Sequence, residues 1–225
     1  MKKCFCCFLF LTLFSLVSFA ADYLHFGFNY SPTISDGGTS HAIGGHFAAI
    51  GDYSDAFKIY AAIGFSGDVT NRDSFLTDDL KKLGVKDFES KFFAVPLRIG
   101  YPFLVRIGGG TQLQIIPALA FDLQFFKCKF RQVLFVYDTP YKVNYDMSGW
   151  GYSLGISANV GMQHRLGKVY LRYGIDVDFP FMTMILYKAK FSGAVSGNMD
   201  DSSVTTIMDA LSATLSPYVS VGFRL

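Results

Sequence analysis

The sequence has few of the cysteines that form stabilising disulfides in small exported domains. It has 4 cysteines in 225 residues, and Cys4, Cys6 and Cys7 all lie close to the amino terminus. Cys128 is left without an intrachain partner once that segment is removed, which excludes a disulfide framework. Beyond position 20 no apolar run reaches the ~20 residues of a membrane helix, although 51% of the chain is hydrophobic. The spacing of the apolar residues must therefore define the fold.

An excess of charge of one sign is also absent. Of the 20 Lys and Arg residues, Lys2 and Lys3 belong to the amino-terminal segment, so 18 basic residues stand against 18 acidic ones in the rest of the chain. A balanced surface does not recruit nucleic acid. We therefore expect no nucleic-acid partner.

The first 20 residues have the pattern of a secretory signal. A positive start at residues 2–3 precedes an apolar run at 5–17, and Ser18-Phe19-Ala20 supplies the small residues of a cleavage site. We expect cleavage after position 20 or 21 and assign residues 21–225 to a single domain. The alternative is a transmembrane helix, for which the run is short.

Apolar and polar residues alternate in eight segments after this signal. The segments are 23–30, 40–50, 56–66, 91–101, 111–125, 150–162, 169–181 and 211–225. In the segment 150–162 one alternate set runs from Trp150 to Met162 and is apolar, whereas the other consists of Gly, Ser and Asn. A period of two is typical of β-strands, and the segments are long enough to cross a membrane when tilted.

The polarity of the two faces distinguishes a membrane barrel from a soluble one. A lipocalin-like barrel needs large apolar residues inside. Here one face carries nearly all the Phe, Leu, Ile and Val, more than an eight-stranded interior can hold. The apolar face must therefore point outward, into lipid.

The connections alternate in length. Short ones are expected at 51–55, 102–110 and 163–168, and long ones at 68–88, 127–147 and 182–209, while the connection at 31–38 is brief. Short periplasmic turns and long extracellular loops are typical of outer-membrane barrels. The sequence thus predicts an all-β, eight-stranded antiparallel up-and-down transmembrane barrel.

In this pattern residues 21–225 resemble the small bacterial outer-membrane barrels of the OmpA-transmembrane, OmpX and OmpW type, and the small barrels of spirochaetes. The last strand, with Tyr218, Val221, Phe223 and Leu225, looks like the assembly signal that such families present to the outer-membrane insertion machinery. Those families usually end in an aromatic residue. Here Phe223 stands two positions before the terminal Leu225.

Two prolines disagree with this arrangement. Pro117 and Pro217 fall on the lipid face of strands without a free edge, where a missing N–H breaks a ladder hydrogen bond. We expect bulges or no clean strand assignment at both positions.

Charged residues on the inward face are expected to form a lumen network. Given the strand directions, the basic residues lie toward the periplasmic end and the carboxylates lie higher. An unpaired charge is costly in a narrow lumen, so these charges are expected to pair across strands. The set is Lys58, Arg98, Arg172, Arg224, Asp122, Asp176 and Asp178. The alternative role for this set is a selective ion path.

Two further constellations are weaker. His25 and His46 fall on the lumen face of neighbouring strands, but two imidazoles without a third ligand do not define a metal site. Ser40, His41 and Asp36 cluster near the outer rim, yet Ser40 and His41 are adjacent and point to opposite faces. We expect no metal, no cofactor and no catalytic residue.

Two of the long connections have patterns of their own. Residues 73–84 have leucines at helical spacing between Asp78-Asp79 and Gly84, which predicts a short surface helix. Residues 130–145 are rich in Phe, Val and Tyr around Asp138-Thr139-Pro140, which predicts a hairpin that extends two strands above the membrane. Either could contact a partner.

The sequence favours a non-enzymatic barrel that displays its loops at the cell surface to an extracellular protein. The alternative is an OmpW-like passage for small hydrophobic ligands, and a lipid-A-modifying enzyme is third. Small or polar inward sets favour display, whereas an apolar upper lumen would favour passage.

Overall fold

A computed structural model describes residues 21–35, 38–54, 57–68, 85–136, 139–193, 197–206 and 214–225. Their backbone forms ten β-strands. These are β1 (Tyr23–Ser35), β2 (Gly38–Ser54), β3 (Phe57–Asp68), β4 (Val85–Gly100), β5 (Phe103–Gly108), β6 (Thr111–Val136), β7 (Thr139–Leu166), β8 (Val169–Gly193), β9 (Gly197–Thr206) and β10 (Thr214–Arg224). No helix in this part of the chain has the length and hydrophobicity that crossing a membrane requires.

Eight of the strands close a ring. Their order is β1-β2-β3-β4-β6-β7-β8-β10, and β10 also pairs with β1. Every neighbouring pair in this ring is antiparallel. The prediction of an eight-stranded antiparallel barrel is confirmed, and among the described strands of the ring none is an edge strand.

The two remaining strands correct the predicted connections. Residues 102–110 were expected to be a loop, but β5 pairs with β6 there and only Gly109 and Gly110 form the turn. β4 pairs with β6 only as far as Ala118, and the strand then breaks at Tyr101 and Pro102. β5 resumes the same register and pairs with the remaining part of β6, from Ile115 to Thr111. In the expected loop 182–209, β8 continues to Gly193 and β9 pairs with it.

Neither Pro117 nor Pro217 causes a bulge. Pairing with one neighbouring strand lapses at each proline, and the register is the same on both sides of the gap. The carbonyl of Pro117 still accepts a hydrogen bond on the interrupted side, because the backbone N–H of Tyr101 donates to its oxygen at 3.1 Å. The expectation of bulges or of no clean strand assignment was therefore wrong, because both prolines lie within assigned strands and interrupt pairing on one side only.

A bulge does occur at Phe181 in β8. Leu154 pairs with Met182 and Gly155 with Pro180, so Phe181 has no partner of its own on β7. The extra residue reverses which alternate side chains of β8 face the interior of the barrel. Below the bulge Arg172 is buried inside the barrel, and above it Thr183 is buried instead.

The two faces of the wall differ as predicted. Large apolar side chains such as Leu119, Ile156 and Phe179 lie exposed on the outer surface, whereas Ala, Ser and polar residues face the interior. Leu119 pairs directly with Ile156, and Ile156 with Phe179, so they form a continuous outward row across three strands. Such a surface suits lipid.

The short turns and both described termini lie at one end of the barrel, called here the turn end. Gly109 and Gly110 have φ of 57° and 80°, and Gly167 has φ of 68°, a conformation that residues with a Cβ rarely adopt. The backbone N–H of Leu225 donates to the oxygen of Asp22 at 3.0 Å. This hydrogen bond ties the two ends of the described chain together.

Four barrel strands continue beyond the wall at the opposite, upper end, and β9 joins them there. β6 and β7 have 26 and 28 residues, more than twice the ~9–11 that a membrane crossing requires. Above the barrel β4, β6, β7, β8 and β9 form one antiparallel sheet, called here the upper sheet, whose residues are 85–92, 126–136, 139–149, 183–193 and 197–206. The predicted hairpin at 130–145 is confirmed as the β6–β7 part of this sheet.

Candidate functional site

The lumen is filled near the turn end by apolar side chains. Ile50 and Ile116 are fully buried, and they pack in a cluster that contains Tyr60 and two alanines. Tyr23 and Leu104 pack against the cluster from the same end. An eight-stranded interior is narrow enough for side chains to fill it. The cluster therefore closes the barrel.

Arg172 lies fully buried above this cluster and contacts side chains from four other strands. Its Nε donates to Oε1 of Gln114 at 2.7 Å, and its Nη2 donates to Oδ1 of Asn159 at 2.6 Å. The guanidinium carbon lies 4.9 Å from the ring centre of Tyr218 and 5.6 Å from that of Tyr60. Amide oxygens and aromatic faces both stabilise a buried cation.

The polar contacts continue outward from this arginine. Nε2 of Gln114 donates to Oε1 of Gln163 at 2.7 Å, and the Tyr218 hydroxyl donates to Oδ1 of Asn159 at 3.0 Å. Nδ2 of Asn159 in turn donates to Oδ1 of Asp176. Asp176 is thus linked to Arg172 through an amide.

Arg98 forms a second cluster higher in the lumen. Its Nη1 lies 2.6 Å from Oδ1 of Asp122, and its Nε lies 2.9 Å from Oδ1 of Asp178. The Ser153 hydroxyl donates to the other Asp122 oxygen at 3.4 Å. The three charged side chains are largely buried and belong to β4, β6 and β8. The pairing therefore ties distant strands together across the lumen.

The structure divides the seven charged residues that the sequence grouped. It brings Arg98, Asp122 and Asp178 into direct contact and places Arg172 and Asp176 in a second, amide-linked set. Lys58 lies opposite Asp52 near the turn end, and Arg224 is exposed at the last position of β10. Arg98 sits among the carboxylates, so the expected separation of a basic lower level from an acidic upper level does not hold for it.

A cavity of about 470 Å³ lies above these clusters. Arg98, Asp122, Asp176 and Asp178 line its lower part. The wall above them carries both polar and apolar side chains, which include Asn29, Ser66, Gln124, Phe92, Phe126 and Ile185. The upper lumen is thus a cup of mixed polarity with a charged floor.

The histidine pair and the polar residues near the outer rim do not form a recognisable metal or catalytic site where the structure describes the chain. His25 is fully buried, and the His46 ring packs edge-on against Tyr218 at 5.4 Å. No three His, Cys, Asp or Glu side chains in the described part of the chain are grouped as metal ligands. His41 shares a hydrogen bond with the Tyr30 hydroxyl. The side chains of Asp36 and Ser40, and the helix expected at 73–84, lie outside the described residues.

The inner face of the upper sheet contains an aromatic cluster. The Phe130 and Tyr145 rings are stacked with centres 4.5 Å apart, and Phe191 meets Tyr145 edge-on at 5.1 Å. The outer face carries two exposed ion pairs, Lys129 with Asp146 at 3.5 Å and Arg131 with Asp87 at 3.0 Å. Exposed pairs contribute about 0–1 kcal/mol each, so aromatic packing and backbone pairing must stabilise this sheet.

The carboxyl-terminal strand has two distinct faces. Val221, Phe223 and Leu225 are exposed on the outer surface, and Tyr218 is buried inside. Tyr218 therefore belongs to the Arg172 cluster as well as to the predicted assembly signal. The signal itself stays a prediction.

The sequence did not single out the neutral partners of Arg172. Gln114 and Asn159 stood in the polar alternate sets of their segments, which is the available signal. The stagger between strands decides which of those polar residues meets an arginine on another strand, and the sequence does not encode this stagger locally.

No protein-family model matches this chain, and no curated protein matches it significantly. Solved structures are similar in fold. Neisserial surface protein A has 10% identity and a TM-score of 0.43, with 90% of this chain and 96% of that chain covered. A major outer membrane protein from Thermus thermophilus has 14% identity and a TM-score of 0.42, with 90% and 99% covered. Ail, the attachment invasion locus protein of Yersinia pestis, has 11% identity and a TM-score of 0.41, with 90% and 97% covered.

Proposed function

We propose that this chain is a non-enzymatic bacterial outer-membrane barrel that displays its upper sheet at the cell surface for interaction with an extracellular partner. The apolar outer wall supports a membrane location. Long strands on one side and tight turns on the other support an outward-facing upper sheet. The first 20 residues would direct export, residues 21–225 would form the single barrel domain, and the insertion machinery would receive its last strand.

The observation that carries the display function is the β6–β7 hairpin. It is paired without interruption from the barrel wall to Val136 and Thr139, so its tip is held away from the membrane by regular structure. Backbone hydrogen bonds with both neighbouring strands make this extension stiff. A stiff platform above the membrane is suited to presenting a surface, and the closed lumen leaves little room for transport.

An epitope inserted between Val136 and Thr139 is expected to bind antibody on intact cells. The same epitope between Gly167 and Lys168 should become accessible only after the outer membrane is permeabilised, because that turn would face the periplasm. Flow cytometry before and after permeabilisation measures both. Antibody binding to the turn epitope on intact cells would show that the orientation is inverted.

A second arm of this test addresses interaction. Replacing residues 130–145 by a short Gly-Ser turn should abolish adhesion of expressing cells to a serum-protein coat. The barrel should keep its heat-modifiable gel mobility, because the exchange leaves the wall below Phe125 intact. Adhesion that persists after the exchange would argue against the hairpin as the contact surface.

A passage for small hydrophobic molecules is the second candidate. Phe92, Phe126 and Ile185 on the upper lumen wall favour it, since an apolar solute could enter the cup from above. The Arg172 cluster and the apolar residues beneath it oppose a continuous path to the turn end.

Bilayer conductance separates the two candidates. The wild-type protein should show no steady current in a planar bilayer, and Arg98→Ala should also stay closed because the lower layers remain. Arg172→Ala should give brief openings, since that side chain fills the narrow level above the apolar cluster. A stable wild-type current, or uptake of a hydrophobic solute that survives the exchange of residues 130–145, would favour passage.

A further inference from the structure

We propose that Lys91 and Lys127, together with Lys188, form a binding site on the outer wall for the anionic headgroups of outer-leaflet lipids. Lys91 and Lys127 also border the cup, and they stand in the same alternate sets as the exposed outward residues Phe93 and Phe125, which directs their side chains to the outer face of the wall. The site depends on the membrane location of the barrel and not on the display function.

The strand register defines the upper border of the apolar wall. Phe93 pairs with Phe125, Phe125 with Trp150, and Trp150 with Leu186, which places four large side chains in one outward row. The Phe93 and Phe125 rings lie 6.3 Å apart. Aromatic rows of this kind border the lipid-facing band of outer-membrane barrels.

The height of the band agrees with this border. Outward residues on β6 are uncharged at every alternate position from Leu113 to Phe125. Twelve steps of about 3.3 Å, tilted by roughly 40°, span roughly 30 Å along the membrane normal, close to the ~25 Å band of such barrels. The residues immediately above Phe125 must therefore lie at the level of the lipid headgroups.

The next outward row changes from apolar to basic on three strands at once. Lys91 pairs with Lys127, Lys127 with Ser148, and Ser148 with Lys188. All three lysines are exposed. The transition occurs at the same level although the strands are distant in sequence, and the bulge at Phe181 is what brings Lys188 to the outer face.

The pairing of Lys91 with Lys127 is unfavourable without a counterion. Directly opposite residues of antiparallel strands have Cα atoms about 4.5–5.5 Å apart, and like charges there destabilise the pair. Neither lysine forms an ion pair within the described part of the chain. The nearest outward carboxylates, Glu89 and Asp146, belong to the row above, and Asp146 pairs with Lys129. A lipid phosphate beside the two ammonium groups would neutralise them.

The single tryptophan of the chain makes this site measurable. Trp150 lies in the aromatic row directly beneath the lysines, so a lipid with brominated acyl chains quenches its fluorescence when bound there. The protein would be refolded into phosphatidylcholine bilayers that contain a small fraction of brominated phosphatidylglycerol or, separately, of brominated phosphatidylcholine. Preferential quenching by the anionic lipid measures its local enrichment.

The wild-type protein is expected to enrich phosphatidylglycerol around Trp150. The double variant Lys91→Gln/Lys127→Gln should bind phosphatidylglycerol, relative to phosphatidylcholine, about tenfold or more weakly, because each lysine contributes to the attraction at an anionic surface. High salt should weaken the wild-type enrichment by screening. Lys142→Gln/Lys168→Gln removes the same charge from the hairpin and from the turn end, and should retain the enrichment.

Equal quenching of the wild-type protein by the two brominated lipids would overturn the proposal. An equal loss of enrichment in the control variant would also overturn it, because general attraction by net charge would then explain the binding. Heat-modifiable mobility establishes that each variant is folded. If the double variant does not refold, Lys127→Gln alone carries the comparison, with a loss of about fivefold expected.

Discussion

Replacing Arg172 by alanine is expected to lower the free energy of unfolding by about 3–5 kcal/mol. The substitution removes the donor from Gln114 and Asn159 and the cation from between two tyrosine rings. It also leaves Asp176 in a buried site without the positive charge that offsets its own. Urea unfolding of the refolded protein in lipid vesicles, followed by Trp150 fluorescence, measures the change.

Arg165→Ala is the matched control for this variant. Arg165 is exposed at the turn end, where its Nε donates to the oxygen of Gly167 at 3.2 Å. Exposed contacts of this kind contribute about 1 kcal/mol or less. Arg172→Met should fall between the two variants, because methionine restores part of the volume without a charge. Equal unfolding midpoints for Arg172→Ala and Arg165→Ala would show that the buried cluster does not stabilise the barrel.

Arginine at position 119 is expected to cost about 2–4 kcal/mol of barrel stability. Leu119 is 69% exposed in the isolated chain and lies at mid-height of the apolar wall, where a guanidinium would enter the hydrocarbon of the bilayer. The cost depends on depth and falls to about 0–1 kcal/mol near the membrane surface.

Leu166→Arg tests this dependence on depth. Leu166 is 61% exposed, close to the value for Leu119, but it lies beside the turn at Gly167. The same chemical change at similar exposure should therefore be tolerated there. Comparable destabilisation of both variants would mean that the outward wall does not face lipid, whatever its composition.

The barrel wall could be predicted from sequence because period and composition agree there. In β7 the residues from Trp150 to Met162 alternate between apolar side chains, all large except Ala158, and small or polar ones. Only one arrangement buries the small set in a narrow lumen and exposes the large set to lipid. The fold class and the faces followed from that single constraint.

The upper part of the molecule could not be predicted in the same way. After Phe181 the residues Met182, Met184 and Leu186 on one face and Ile185 on the other are all apolar, so the period of two is lost where β8 continues. Neighbouring strands supply the pairing there, and pairing over such distances leaves no local signal. For this reason residues 182–209 resembled a loop.

The internal contacts were only half predictable. That Arg98 would meet carboxylates follows from the cost of an unpaired buried charge. That Arg172 would instead bind two amides depends on the stagger of β6, β7 and β8. An arginine surrounded by Gln114, Asn159 and tyrosine rings has no charge pattern by which its partners could be recognised.

The bulge at Phe181 makes β8 a strand of two modules. Below it β8 pairs with β10 up to Asp178, and above it β8 pairs with β9 from Thr183. The phase of the upper module is set by one residue, so its lysines and its aromatic residues could exchange faces through a single insertion or deletion there. The membrane wall beneath would keep its own phase. A lineage could in this way invert the chemistry of the upper part of β8 and leave the lipid-facing wall unchanged.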